Sequence, residues 1–247
     1  MATRDTSTLC LFDVDGTLTP PRKLINNDMT EIIEKLRQKI VVGIVGGSDF
    51  AKISEQIGGD ICKKFDYVFS ENGLVAYKGE TLIGKEDIAN YLGEDKVQRL
   101  INFALKKLSE ISLPVKRGTF IEFRDGLINV CPVGRSCTQA HRDQFAQLDK
   151  EQNIRQKLVD DLEKEFPDMG LNFVIGGQIS IDIFPQGWDK RFALSHVEKD
   201  GYKTIHFFGD KTSPGGNDYH IYEDPRTIGH SVTGPDDTIK QLNDLFF

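Results

Sequence analysis

Leu9-Cys10-Leu11-Phe12-Asp13-Val14-Asp15-Gly16-Thr17-Leu18-Thr19 opens as a run of apolar residues and then releases two carboxylates, one residue apart, into a Gly-Thr turn. An apolar run near the start of a chain reads as a buried strand. Asp and Gly directly after it mark its end. Asp13 and Asp15 are therefore expected at the carboxyl end of a strand, where open α/β sheets place their ligands.

The same pattern recurs on both sides of a different middle region. A buried strand over residues 39–45 runs into Gly46-Gly47-Ser48-Asp49, another covers 67–69, and a third over 204–208 runs into Gly209-Asp210. Between them lie helical patterns: one capped at Asn27 or Asp28 with Ile32, Ile33 and Leu36 as its apolar stripe, one over 52–57, and one over 190–199. Alternating strands and helices predict a parallel sheet with right-handed crossovers. Glu71-Asn72-Gly73 turns the chain into a hairpin at 74–77.

From about residue 83 the grammar changes. Val97, Leu100, Ile101, Ala104, Leu105 and Leu108 share one face of a helix over 95–110. Two strand-like runs joined by Asp125-Gly126, and a second pair joined by Gly176-Gly177-Gln178, read as antiparallel hairpins, with a helix over 153–166 between them. The expected fold class is α/β: a Rossmann-like parallel-sheet core, residues 1–82 and 188–247, interrupted by an inserted α+β cap, residues 83–187, made of an antiparallel sheet plus helices.

A net charge of -7 over 247 residues argues against general nucleic-acid or anionic-membrane binding, which needs excess positive charge. No run approaches the roughly 18 apolar residues of a membrane span, and Asp13 interrupts the first apolar stretch too early for a signal peptide. Cys10, Cys62, Cys131 and Cys137 form no Cys-x-x-Cys pair, which fits a reduced cytoplasmic protein.

In a parallel sheet Asp13, Asp15, Ser48 and Asp210 point to one edge. Carboxylates converging there repel one another unless a cation sits between them. All-oxygen ligands select a hard ion, and Mg²⁺ keeps waters and phosphate oxygens in its shell. Thr17, Ser48 and nearby backbone N–H groups can hold phosphate oxygens, and Lys190 can supply a fixed positive charge. This chemistry points to phosphoryl transfer through an aspartate nucleophile. Asp-x-Asp-Gly also opens calcium loops, but such a loop needs an acid at its twelfth position, and Leu24 stands there.

Asp13-Val14-Asp15-Gly16-Thr17, Gly47-Ser48, Lys190 and Gly209-Asp210 through Gly215-Gly216-Asn217-Asp218 resemble the four motifs of the haloacid dehalogenase superfamily. Residues 12–19, 45–50, 117–124, 134–137, 176–180 and 208–212 extend the resemblance, over nearly the whole chain, to the eukaryotic-type phosphomannomutases. The resemblance implies Asp13 as nucleophile and Asp15 as general acid/base. It implies Mg²⁺ on Asp13, the backbone carbonyl of Asp15, and Asp210. Ser48 and Lys190 would steady the phosphoryl group, with Asp218 in support, and Tyr222, Asp224 and Thr227 would form a loop for a further cation.

A mutase must exclude water from its aspartyl phosphate and hold the far phosphate of a bisphosphorylated sugar. Arg124, Arg135 and Arg142 are suited to phosphate, and strand alternation puts Ser180 and Asp182 on one face, able to bond sugar hydroxyls. The resemblance assigns that role to these five, with Arg22 as a further contact. Arg155 and Arg191 read as solvated or ion-paired surface residues. The implied activity interconverts mannose 6-phosphate and mannose 1-phosphate, primed by a hexose 1,6-bisphosphate, and supplies mannose 1-phosphate for GDP-mannose synthesis. The cap would close over the substrate and pair two copies into a homodimer. Two other readings stand beside it: a sugar-phosphate phosphatase on the same scaffold, and a non-catalytic phosphosugar or cation-binding module.

Overall fold

The structure is a computed structural model in which residues 3–247 are described. Its strands are β1 (Asp5–Phe12), β2 (Ile40–Val45), β3 (Tyr67–Ser70), β4 (Val75–Lys78), β5 (Thr81–Lys85), β6 (Ile121–Phe123), β7 (Ile128–Val130), β8 (Leu171–Gly176), β9 (Ser180–Pro185), β10 (Thr204–Gly209) and β11 (Ile228–Ser231). The chain forms two compact units, one running up to Lys85 and again from Gly187 to Phe247, the other Glu86–Gln186.

The first unit is built on a sheet of order β11-β10-β1-β2-β3-β4-β5. β11, β10, β1, β2 and β3 run parallel, and β4 and β5 fold back antiparallel. Cover on both faces explains why Leu9–Phe12 of β1 and all of β2 are apolar and buried on both alternating faces. Cys10 and Phe12 pack with Met29, Ile32 and Leu36 of helix Asn27–Arg37 on one face. Leu9 and Leu11 pack with Ala193, Leu194 and Val197 of helix Phe192–Val197 on the other. Asn26 caps the first of these helices through its side chain, one residue before the expected position. β5 pairs with β4 and carries the first unit to Lys85, three residues past the expected end at 82.

The second unit is a four-stranded antiparallel sheet, β6-β7-β9-β8, with its helices. Ile128, Val130, Ile181 and Ile183 are fully buried on one side of that sheet. Glu122, Asn129 and Asp182 stand opposite one another in register across β6, β7 and β9. Helix Glu94–Glu110 buries Val97, Leu100, Ala104 and Leu108 of the expected stripe, while Ile101 is half-buried and Leu105 exposed, and helix Ile154–Glu165 buries Ile154, Leu158 and Leu162. Helix Gln139–Gln152 was not expected from the sequence, because only Phe145 and Asp149 of its residues are buried. No helix among the described residues is long and apolar enough to cross a membrane, and all four cysteines are free thiols.

Candidate active site

Asp13 and Asp210 leave the ends of neighbouring parallel strands. Phe12 pairs with Phe208 in register, and the Asp13 N–H donates to the Phe208 carbonyl at 2.9 Å. Ser48 follows β2, the next strand over, in a loop held by the Glu71 N–H on the Ser48 carbonyl at 3.0 Å and the Asn72 N–H on the Gly46 carbonyl at 2.9 Å. Glu71 and Asn72 take left-handed backbone conformations to make that reach.

Lys190 is the centre of the site's electrostatics. Its side chain is 1% exposed. Its Nζ donates to Asp13 Oδ1 and, at 2.6 Å, to Asp218 Oδ1. Asp218 is fully buried, and its Oδ2 accepts the Lys211 N–H at 3.0 Å. Burial alone would pull the Lys190 ammonium down, but the two carboxylates outweigh it and hold its pKa above the usual value. Burial pushes the Asp13 carboxyl up to about 6, with Lys190 pulling it back and the Asp218 charge raising it further. Lys190 does not open the helix, as expected from the sequence, but sits in the turn before it. The Asp189 side chain accepts the Arg191 N–H at 2.9 Å and its carbonyl accepts the Phe192 N–H, so the helix begins at Phe192.

Asp13, Asp210 and Asp218 each bring a carboxylate oxygen to within 4.8 Å of the others. Both oxygens of Asp218 are engaged, whereas Asp210 Oδ1 is buried with no hydrogen-bond partner. A buried acceptor without a donor is costly, and a hard cation is the group that would satisfy it. Burial, with the Asp218 charge adding to it against Lys211, holds the Asp210 carboxyl above its ordinary range. The donor set therefore fits a divalent cation on Asp13 and Asp210, while Asp218 fixes Lys190.

Gly16 makes this approach possible. Its φ is +83°, and a Cβ there would lie 2.4 Å from Asp210 Oδ2. Gly16→Ala is expected to displace the Asp210 carboxylate and weaken Mg²⁺ binding by about tenfold or more, read by calorimetric titration. Unchanged Mg²⁺ affinity would remove Asp210 from the cation site.

Asp15 lies apart from this cluster. Its Oδ1 accepts the Arg22 N–H at 2.7 Å and Gln56 Nε2 at 2.8 Å, leaving Oδ2 as its open edge. Arg22 is exposed and takes a φ of 59°, which aims its backbone N–H at the carboxylate. Thr17 Oγ1 lies 3.4 Å from Asp13 Oδ2. Sequence reasoning missed Gln56, a half-buried residue on helix Phe50–Ile57.

In the second unit, β6, β7 and β9 set Glu122, Asn129 and Asp182 in one row, and Arg124 and Arg135 reach it. Arg124 Nε and Arg135 Nε both meet Glu122 Oε2, at 2.9 and 3.0 Å. Arg142, in the first turn of helix Gln139–Gln152, donates to the Arg135 carbonyl at 3.0 Å. Ser180 Oγ donates to the Gly176 carbonyl, and the Asp182 carboxylate lies over Gly176, where a Cβ would come within 2.3 Å of Oδ2. Arg155 is not the surface residue expected. It is almost buried, pairs with Asp149 at 2.8 Å, and donates to the Gly177 carbonyl at 3.0 Å, pinning the β8–β9 turn. Arg191 is ion-paired to Asp189, as expected.

The further-cation loop is closed on itself. Both oxygens of Asp224 accept from the Arg226 guanidinium, which holds that carboxyl below its ordinary range. Thr227 Oγ1 donates to the Ile221 carbonyl at 2.6 Å, and Tyr222 ends the short helix Tyr219–Tyr222.

The fold resembles solved structures of low identity. A haloacid dehalogenase-like hydrolase from Bacteroides thetaiotaomicron superposes with a TM-score of 0.61 at 14% identity, over 97% of this chain and 99% of that one. An Aspergillus fumigatus trehalose-6-phosphate phosphatase gives 0.57 at 16% identity, over 96% and 92%. The sequence comparisons reach further. The family described as eukaryotic phosphomannomutase matches residues 29–247. Mus musculus phosphomannomutase 1 is 54% identical over all of this chain and 95% of its own length. The Saccharomyces cerevisiae phosphomannomutase is 56% identical over 97% of this chain and 94% of its own. With more than half its positions shared nearly end to end with proteins of that name, the chain belongs to the eukaryotic phosphomannomutase family.

Proposed function

We propose that the protein interconverts mannose 6-phosphate and mannose 1-phosphate through an aspartyl phosphate on Asp13, and so supplies mannose 1-phosphate for GDP-mannose synthesis. The observation that carries this reading is the buried Asp13 carboxylate, hydrogen-bonded to a fully enclosed Lys190 and within 4.8 Å of the Asp210 carboxylate, whose Oδ1 is buried without a hydrogen-bond partner. Full-length relatives named phosphomannomutase supply the sugar.

Asp13 attacks the phosphorus of a hexose 1,6-bisphosphate, and the departing sugar oxygen takes a proton from Asp15 Oδ2. In return, Asp15 removes the proton of a sugar hydroxyl as that oxygen attacks the aspartyl phosphate, and Asp13 is released. Lys190 and Ser48 hold the phosphoryl oxygens. Asp13, Asp210 and the Asp15 carbonyl would hold Mg²⁺, which when bound offsets the negative charge gathered around the phosphoryl group.

In this reading the core is residues 1–82 and 188–247, and residues 83–187 carry the sugar-facing surface. Arg124, Arg135 and Arg142 take the far phosphate, Ser180 and Asp182 the sugar hydroxyls, and Arg22 adds a contact. Before substrate arrives Glu122 serves Arg124 and Arg135 as an internal anion, the position that a phosphate would take over. Family membership supports two further elements of the proposal: pairing of two copies through the second unit, and work in the cytoplasm.

Purified protein mixed with Mg²⁺, mannose 1-phosphate and a hexose 1,6-bisphosphate is expected to yield mannose 6-phosphate with little inorganic phosphate. Stoichiometric phosphate release without isomerisation would replace the mutase by a phosphatase.

A further inference from the structure

Asn129 lies at the middle of the polar sheet face and has no role in the chemistry above. It is 2% exposed. It stands directly opposite Glu122 on one neighbouring strand and Asp182 on the other, so the three side chains form one row across β6, β7 and β9. Its Nδ2 donates to Asp182 Oδ1 at 2.6 Å, and its Oδ1 accepts from Arg135 Nη1 at 2.8 Å. A primary amide alone among short side chains carries a donor and an acceptor on one rigid plane. Here one end meets an acid and the other a guanidinium, both of them only half-buried, while the amide between them is enclosed.

We propose that Asn129 is a positioning residue that locks Asp182 and Arg135 into one fixed spacing, so that a hexose phosphate is recognised by its hydroxyls and its far phosphate as a single rigid unit. The inference rests on the reading of Asp182 and Arg135 as substrate contacts. Without Asn129, Asp182 loses a charge-assisted donor and is free to turn toward solvent, and Arg135 loses an acceptor and is held on this face by Glu122 alone. The Gly176 backbone under Asp182 sets the other wall: with no Cβ there, the carboxylate has room to lie where Asn129 holds it. Asp at position 129 would set two carboxylates against each other, and Leu would take the donor from Asp182 and leave Arg135 only its pairing with Glu122.

The test is a double-mutant cycle in the primed mutase assay. Asn129→Leu, close in size, is expected to raise KM for mannose 1-phosphate about tenfold while changing kcat far less. In an Asp182→Ala background the same change is expected to raise KM by only about threefold or less, because one of the two groups it positions is already gone. A purely structural role would cost the same in both backgrounds, and that result, or an unchanged KM for Asn129→Leu, overturns the inference. If Asp182→Ala alone leaves KM unaltered, the assignment of Asp182 to the substrate fails instead. Asn129→Asp, which keeps the acceptor toward Arg135 and puts a repelling carboxylate where the donor toward Asp182 stood, runs through the same cycle if thermal melting shows the Leu variant to be unfolded.

Discussion

Asp13→Asn is expected to abolish turnover and, at the same time, to make the metal-free protein more stable at neutral pH. The first effect follows from the chemistry: an amide is no nucleophile toward phosphorus, and loss of a covalent nucleophile lowers kcat by about 10⁴-fold or more. The second follows from burial. The folded Asp13 carboxyl titrates at about 6 against 3.8 for the ordinary group. A carboxyl raised in the folded state contributes its full stability below the unfolded value and loses it as pH climbs through the folded one. Between pH 3.8 and about 6 the wild-type protein therefore gives up to about 3 kcal/mol that an asparagine, neutral throughout, retains. Thermal melts in a chelator across pH 4 to 8 should show the two proteins converging at the acid end and the variant ahead above pH 6. A variant that turns over substrate, or that melts below wild type at pH 8, contradicts the assignment. Mg²⁺ should reverse the order, since only the carboxylate offers it a charged ligand.

This coupling of cost and function was partly legible in the chain. A run of apolar residues that stops at Asp13 and another that stops at Asp210 already place both acids at one sheet edge. The reason is general: the period of a strand is two, and a parallel sheet covered on both faces needs unbroken apolar runs, so its ends stand out. What escaped the sequence was everything set by side chains meeting across long separations. Gln56 reaches Asp15 over 41 positions, and Asn129 reaches Asp182 over 53. Neither residue breaks a pattern where it stands, because polar residues on a helix face or a strand are ordinary. Helix Gln139–Gln152 escaped for the opposite reason, having too thin an apolar stripe to register. β5 also passed unnoticed because most of it is exposed at the sheet edge. The loop of Tyr222, Asp224 and Thr227 looks like an open set of oxygens in sequence, yet Arg226, two residues beyond Asp224, has already taken that carboxylate. Composition supplies ligand types; it does not say which are spoken for.

Lys190→Met carries the largest expected loss of stability, because it strands two buried acids at once. Met has a similar length and no charge, so the cavity stays filled. Asp13 and Asp218, both nearly inaccessible, then face each other without a cation, and removing one partner of a buried ion pair costs about 3–5 kcal/mol. The loss should depend on conditions in a way that simple misfolding would not. Acidification protonates the stranded carboxylates, so the gap to wild type should narrow as pH falls. Mg²⁺ should narrow it as well by supplying charge beside Asp13. Turnover should not return with it, because the ammonium proposed to hold the phosphoryl oxygens is gone and a cation on Asp13 and Asp210 would not replace it. Arginine is no substitute, since its planar fork needs more room than a site with 1% exposure offers. Denaturant melts at pH 5 and 8, with chelator and with Mg²⁺, give four stabilities to compare. Equal losses in all four would mean that Lys190 supports packing alone, and that its contact with Asp13 is incidental to the site.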